Sequence, residues 1–249
     1  MSWRRHRSGL LVPAGGAART AHATTYRGID NATSTSSHTV TSASIGAAAG
    51  ANEEKWLCVA VLTQDDTALS TPTGVTFASN SMTQVSGCAA TQTDATGDIA
   101  CDFYIRQEDA ATSGNIVASH DVAADDSIII WWTILTPTGF AGGTHQTQTA
   151  TDNGGNIACN FSSTLGQTNG SYFYACVDNL SGEDTTANPV AGGAGATHTQ
   201  DIGGDYGGTT VQAGRADIST GWSSGNQHQC QFGAGGAAAG FYCAFLATT

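Results

Sequence analysis

The sequence predicts an all-β protein: an antiparallel β-sandwich, jelly-roll-like, preceded by an extended N-terminal arm. Three observations carry this. Helical periodicity is nearly absent, because the alanine runs "GAAAGAN" and "GAGGAAAG" are cut by glycine too often to propagate a helix. Short apolar runs separated by Gly, Asn, Asp and Ser clusters recur from residue 38 to the C-terminus. Glycine makes up 32 of 249 residues, about twice its usual share near 7%, and only 11% of residues are charged. Many Thr and Gly with few charges suit strands joined by tight turns.

Taken in order, the pattern places strands at 38–45, 56–63, 75–78, 81–88, 98–107, 115–121 and 127–136. Further strands are expected at 144–150, 156–162, 171–179, 209–213, 226–232 and 240–248. Alternation supports the fifth: Ile99, Cys101, Phe103 and Ile105 share one face, and Asp102, Tyr104 and Arg106 share the other. "KWLCVAVL" and "SIIIWWTIL" are apolar on both faces. Each therefore reads as a central strand whose outer face is covered by a loop, an arm or a neighbouring subunit. "PTGVTFASNSMTQVSG" reads as a hairpin turning at Asn80-Ser81.

No β-α-β spacing occurs, which argues against a parallel sheet. The Gly-rich stretch 191–208 is expected to be a long surface loop, since too little chain follows it to form a second core. The expected organisation is an arm over residues 1–37 and a single sandwich domain over 38–249.

Charge is split along the chain. Five of the eight basic residues, Arg4, Arg5, Arg7, Arg19 and Arg27, lie in the first 27 positions, where there is no acid. Beyond them Lys55, Arg106 and Arg215 face all 20 acids, so the balance is +5 against −17, summing to −12. The start imitates a secretory leader down to its Ala-His-Ala site, but "LLV" is stopped by Pro13, short of the ~7–15 apolar residues required. No window approaches the ~18 apolar residues of a membrane span. An acidic body argues against nucleic acid as the partner of the main surface, and three clustered arginines are a thin footprint for packaged DNA.

Motifs for chemistry are sparse. The seven cysteines sit mainly in apolar runs and read as buried, reduced small hydrophobes. Cys88 and Cys101, flanking a polar loop in an expected hairpin, are the first candidates for pairing. No Cys-x-x-Cys supports a zinc or redox site. "AGGAGA" and "GAGGAAAG" lack the following helix that a phosphate site needs. The histidines are scattered outside ligand spacings, and no local motif joins a Ser, a His and an Asp. The acidic pairs Asp65-Asp66, Asp125-Asp126 and Glu183-Asp184 resemble calcium loops, but ordinary Asp turn chemistry accounts for them. Asn-x-Ser/Thr triplets at Asn31, Asn160, Asn169 and Asn179 arise readily in a chain so rich in Ser and Thr. No enzyme, metal or cofactor is expected.

The hairpin at 72–87, followed by "DIACDFYIRQED", "SIIIWWTIL" and the closing "GFYCAFLATT", resembles β-sandwich structural proteins of tailed-bacteriophage virions. In that group a "GVTFGG-x-x-M/L-T" hairpin precedes a strand ending in aromatics; here "ASNS" replaces the glycine-rich turn. The resemblance spans about residues 38–249 and implies a virion role without catalytic residues. Its first reading is a capsid decoration (cement) protein on the outer surface of a phage head, made in the host cytoplasm. The arm would bind the major capsid protein or another virion protein. Arg4, Arg5, Arg7, Arg19 and Arg27 would meet carboxylates, and Trp3, Leu10, Leu11 and Val12 would make apolar contacts. A homo-oligomer, a trimer by analogy with the class, is expected. Alternatives are a tail or fibre protein binding a host receptor or glycan through exposed Trp222, Tyr206 and Tyr104, and a secreted adhesin or carbohydrate-binding module.

Overall fold

The computed structural model describes residues 22–95, 97–138, 145–152, 156–160, 170–180, 187–188, 196–218, 227–232 and 236–246. All regular structure among them is β. The first sheet contains β1 (Ala23–Ser44), β2 (Glu53–Asp65), β3 (Pro72–Phe77), β4 (Asn80–Ser81), β5 (Thr83–Gln84), β6 (Ala90–Asp94), β7 (Gly97–Gln107) and β8 (Ser113–Pro137). The second contains β9 (His145–Asp152), β11 (Gly170–Asp178), β13 (Ala196–Tyr206), β14 (Thr209–Ile218) and β16 (Ala238–Leu246). A small third sheet joins β10 (Asn156–Asn160), β12 (Ala187–Asn188) and β15 (Gln227–Gln231). Every pairing described is antiparallel.

The first sheet runs in the order β4-β3-β8-β2-β7-β5. Its two ends are consecutive in sequence, and the Met82 N–H donates to the Val75 carbonyl at 2.8 Å between them. The sheet therefore curls into a nearly closed barrel. Alternation divides its side chains. Leu57, Val59, Val61, Ile129 and Trp131 point inward with Val75, Phe77, Ile116 and Tyr104. Cys58, Ala60, Leu62, Ile128, Ile130 and Trp132 point outward. The outer set packs against Phe173, Ala175, Val177 and Phe241 of the second sheet, with Phe103 centred 4.8 Å from Phe241 and 5.7 Å from Phe173. Both faces of the two apolar strands are thus covered within this chain, by the curl on one side and the second sheet on the other. The second sheet's far face carries a row of buried tyrosines, Tyr172, Tyr174 and Tyr242, and the Tyr242 hydroxyl reaches the Ile157 carbonyl of β10.

Four expectations change. The first strand begins at Ala23, so residues 23–37 of the expected arm lie in a strand laid along β8, with Ala23 opposite Leu135 and Thr33 opposite Asp126. Its "ATTYRGIDNATSTSS" hides the strand because it carries little apolar alternation. Register shifts at Tyr26/Gly28, Thr35/Ser37 and Val40/Ala43 interrupt its period. At Gly28 a Cβ would come within 2.4 Å of the Trp131 indole, so the ring lies flush against the strand only because no side chain is there. The polar segment around Asp125-Asp126 does not break the chain into two strands: β8 continues through it and passes from β3 to β2 as neighbour. Within the expected loop 191–208, residues 196–206 form β13, an edge strand held by β14, with Ile202 reaching the core. The hairpin turns at Ala78-Ser79 and not at Asn80-Ser81, with φ of +48° and +68°.

Two outcomes follow. Deleting residues 1–21 leaves a cooperatively unfolding β-protein, whereas deleting 1–37 removes most of a strand from β8 and abolishes cooperative unfolding; circular dichroism and urea titration separate the two. Ser79→Gly, at an exposed position with positive φ, raises stability by ~0.5–1 kcal/mol in urea denaturation.

Candidate functional site

Of the residues assigned to the arm, Trp3, Arg4, Arg5, Arg7, Leu10, Leu11, Val12 and Arg19 lie outside the described residues. Arg27 is described, and the fold uses it. Its Nε donates to Thr133 Oγ1 at 2.8 Å from within β1, and its guanidinium lies under Gly46, whose φ is +79°. Beside it Lys55 is fully buried at one end of the barrel, its Nζ donating to the carbonyls of Ala47 (2.7 Å) and Ala111. Burial holds the Lys55 ammonium below its usual range, and Arg27 adds to that, while Asp109 and Glu108 act against it. The root of the arm is fixed just before β1. His22 is buried, with Nδ1 3.0 Å from Ser171 Oγ of β11, so the residue before β1 sits where the first two sheets meet.

At the other end of the barrel the fold gathers residues distant in sequence. His38 Nε2 lies 3.1 Å from Asp30 Oδ2, and His38 Nδ1 lies 3.1 Å from Ser127 Oγ. His120 Nε2 lies 2.9 Å from the same oxygen. With both rings neutral, one proton arrangement satisfies all three contacts. His38 donates from Nε2 to the Asp30 carboxylate, Ser127 donates to His38 Nδ1, and His120 donates from Nε2 to Ser127. His120 Nδ1 is then buried without a partner among the described residues. Burial, first, and the facing His38 keep the His120 pKa below the ordinary value, against the opposing pull of Asp121.

The order Asp–His–Ser is that of a charge relay for nucleophilic catalysis. Ser127 has 0% exposure, however, and both neighbouring imidazoles hold its oxygen, so no substrate reaches it. The group instead closes the barrel with a hydrogen-bonded polar plug in which His120 Nδ1 is left bare among the described residues. No sequence signal announced it, because the contact that joins its two halves, His38 to Ser127, spans 89 residues.

The remaining candidates resolve into packing and turns. Asp65 Oδ1 accepts from Thr67 N, Thr67 Oγ1 and Ala68 N at 2.7–2.9 Å, which is the expected turn chemistry. Asp125 accepts from the Asp66 N–H at 3.1 Å, and Asp126 from the Gly208 N–H at 2.7 Å. Burial foremost, then Asp125 and Asp66, raise the Asp126 carboxyl above its usual range. Glu183-Asp184 falls outside the described residues. Among the described residues no group of three or more His, Cys, Asp or Glu side chains is gathered as a metal site. Cys88 and Cys101 are not joined in a disulfide; with Cys58, Cys176 and Cys243 they are buried thiols. Burial pushes the Cys58 and Cys101 thiols far up, away from the reactive thiolate. Tyr104 does not form a surface: it is inside the barrel, donating to Asp102 Oδ2 at 2.9 Å. Trp222 lies outside the described residues, and Tyr206 is half-buried beside the inter-sheet core.

The His22 ring gives a pH dependence with a defined sign. Burial lowers its pKa from 6.5 to about 4 in the folded chain. Above pH ~6.5 neither state binds the proton. Below that the unfolded chain binds it first, so stability is lost as pH falls toward 4. His120 acts in the same direction. The raised carboxyls Asp102, Asp126 and Asp201 act in the opposite one. The readout is therefore a difference: His22→Asn should lose less stability than the wild type between about pH 7.5 and about pH 5, by roughly 2 kcal/mol in urea titrations.

No protein-family model matches this chain, and no curated protein matches it. A solved chain labelled Cucumber Leaf Spot Virus aligns over 99% of this chain and 98% of its own length, at 10% identity and a TM-score of 0.25. A likeness that low carries no argument about this protein.

Proposed function

We propose that the chain is a non-enzymatic virion structural protein, a decoration protein fastened to the outside of a phage head by its N-terminal segment. The observation that carries the reading is the charge split combined with the position of the arm's root. Residues 1–21 hold Arg4, Arg5, Arg7 and Arg19 and no acid, a balance of +4. From residue 22 onward four cations face 20 acids, a balance of −16. Arg27 and Lys55 are consumed by the barrel end, so the basic charge available for a partner is concentrated before the first strand. His22 and β1 tie the start of the body to both large sheets, so a pull on the arm is transmitted to the whole body and not to a loose end.

The interior suits a passive role. Among the described residues the cysteine thiols are buried, and the relay-like cluster is sealed. On the capsid the arginines pair with carboxylates of the major capsid protein, and Trp3 with Leu10–Val12 supplies apolar contact. The acidic body then faces outward, where its charge opposes clustering of particles. Assembly as a homo-oligomer, a trimer in this reading, lets several arms engage one capsomer junction.

Co-sedimentation with particles lacking the protein tests this. Replacing Arg4, Arg5 and Arg7 together with Ala should reduce attachment by several powers of ten, since charge-assisted hydrogen bonds contribute ~1.5–3 kcal/mol each, while urea stability stays unchanged. Equal occupancy of wild type and triple variant at limiting concentration would sink the anchor.

A further inference from the structure

The outer wall of the first sheet is not wholly covered by the second. Near its β5 edge a groove of about 420 Å³ opens across three adjacent strands, within the size range of small-molecule sites. Register places Trp56 of β2 opposite Gln107 of β7, and Ile105 of β7 opposite Thr83 of β5, so these side chains share the exposed continuation of the core face. Trp56 is half-buried, packed on the inter-sheet core, and its Nε1 donates to Glu54 Oε2 at 3.3 Å. Val85 and Ile105 supply the apolar floor.

The rim is polar and held in fixed orientation. Gln107, on the Trp56 face, donates from Nε2 to Asp109 Oδ2 at 2.7 Å, whereas the Gln84 amide turns to the other face, where it donates to Asp102 beside Tyr104. Asp109 pins the Gln107 amide nitrogen, so the Gln107 amide oxygen remains an oriented acceptor at the groove, and Thr83, opposite Ile105 on the same face, adds a hydroxyl. Arg106 alternates to the face of Leu57; its Nη1 is fixed to the Ser81 carbonyl at 2.9 Å, and its charge is matched by Glu108. No carboxylate lines the groove.

We propose that this groove binds a neutral saccharide. An indole face beside an apolar floor accommodates the C–H face of a pyranose ring. The pinned Gln107 acceptor and the Thr83 hydroxyl address its hydroxyls, which both donate and accept. The matched Arg106–Glu108 pair leaves no net positive charge for an anionic ligand. The carboxylates bonded to the lining, Glu54 and Asp109, are each engaged by a donor of the groove, Trp56 Nε1 and Gln107 Nε2, and not left for a cation. The groove lies in the described body, so this proposal stands independently of the arm.

Saturation-transfer NMR on the full chain tests it, using cellobiose, N,N′-diacetylchitobiose and lactose as neutral probes, with choline and sialyllactose as charged ones. At least one neutral disaccharide should receive saturation, with a Kd in the roughly millimolar range. Trp56→Ala should weaken that binding at least about tenfold, Trp56→Phe should retain most of it, and Gln107→Ala should weaken it without unfolding the chain by circular dichroism. Absence of transfer to all three neutral probes, equal transfer in Trp56→Ala, or binding of a charged probe alone would overturn the assignment. Particle attachment plays no part in this measurement, so its outcome is distinct from that of the anchor experiment.

Discussion

Everything in this fold follows from two strands that are apolar on both faces. "KWLCVAVL" in β2 and "SIIIWWTIL" in β8 lie side by side, Val59 opposite Trp131 and Ala60 opposite Ile130. Leaving either face in water would cost about 25 cal/mol for each Å² of apolar surface. One cover per face is therefore required. The sheet curls so that its own outer strands cover the inner face, and the second sheet, led by Phe173 and Phe241, covers the outer one. The second sheet then has a far face of its own, and the tyrosine row together with the small third sheet closes it. Layering propagates outward from one doubly apolar pair.

A curled sheet leaves two open barrel ends, and each is closed by polar groups that the backbone or their neighbours satisfy. Lys55 closes one by donating to carbonyls, with Arg27 alongside held by Thr133. The Asp30–His38–Ser127–His120 group closes the other. Buried polar groups of this kind are tolerated because their hydrogen bonds are kept. The one bare nitrogen, His120 Nδ1, can stay bare only while the ring is neutral. Asp126 makes a comparable link between sheets: it caps the β13–β14 turn at Gly208, and Gly207 must lack a side chain because a Cβ there would lie 1.9 Å from the carboxylate oxygen.

The surface consequences are equally physical. β1 is a strand of 22 residues that pairs with β8 alone among the described strands. A long flat edge of that kind templates aggregation. Its three register shifts and the positive φ of Ser34 and Ser42 break the edge into short segments. The same strand follows residues 1–21 directly, so the element through which the proposed anchor would transmit load is bonded along its length to β8, the longest described strand of the barrel.

How much was legible in the sequence depended on whether local pattern alone decided the outcome. By itself the sequence determined the all-β class, the positions of the apolar strands, the twofold burial of β2 and the C-terminal half of β8, and the Asp65 turn. Each of these is set by side-chain alternation or by an Asp bonding its own backbone. Tertiary structure alone decided the rest. The first half of β1 and all of β13 are strands because a partner edge holds their backbones, although their Thr, Ser and Gly show little period of their own. The turn fell at Ala78-Ser79 because pairing of Phe77 with Asn80 set the register, whatever the neighbouring residues prefer. Tyr104 went inward because the sheet curled, and no periodicity encodes which face of a sheet becomes the inside of a barrel. The Ser127 cluster joins two local pairs 89 residues apart, the Trp56 groove draws on three strands, and both were invisible for the same reason: only strand pairing, β1 with β8 and β7 with β2 and β5, brings them together.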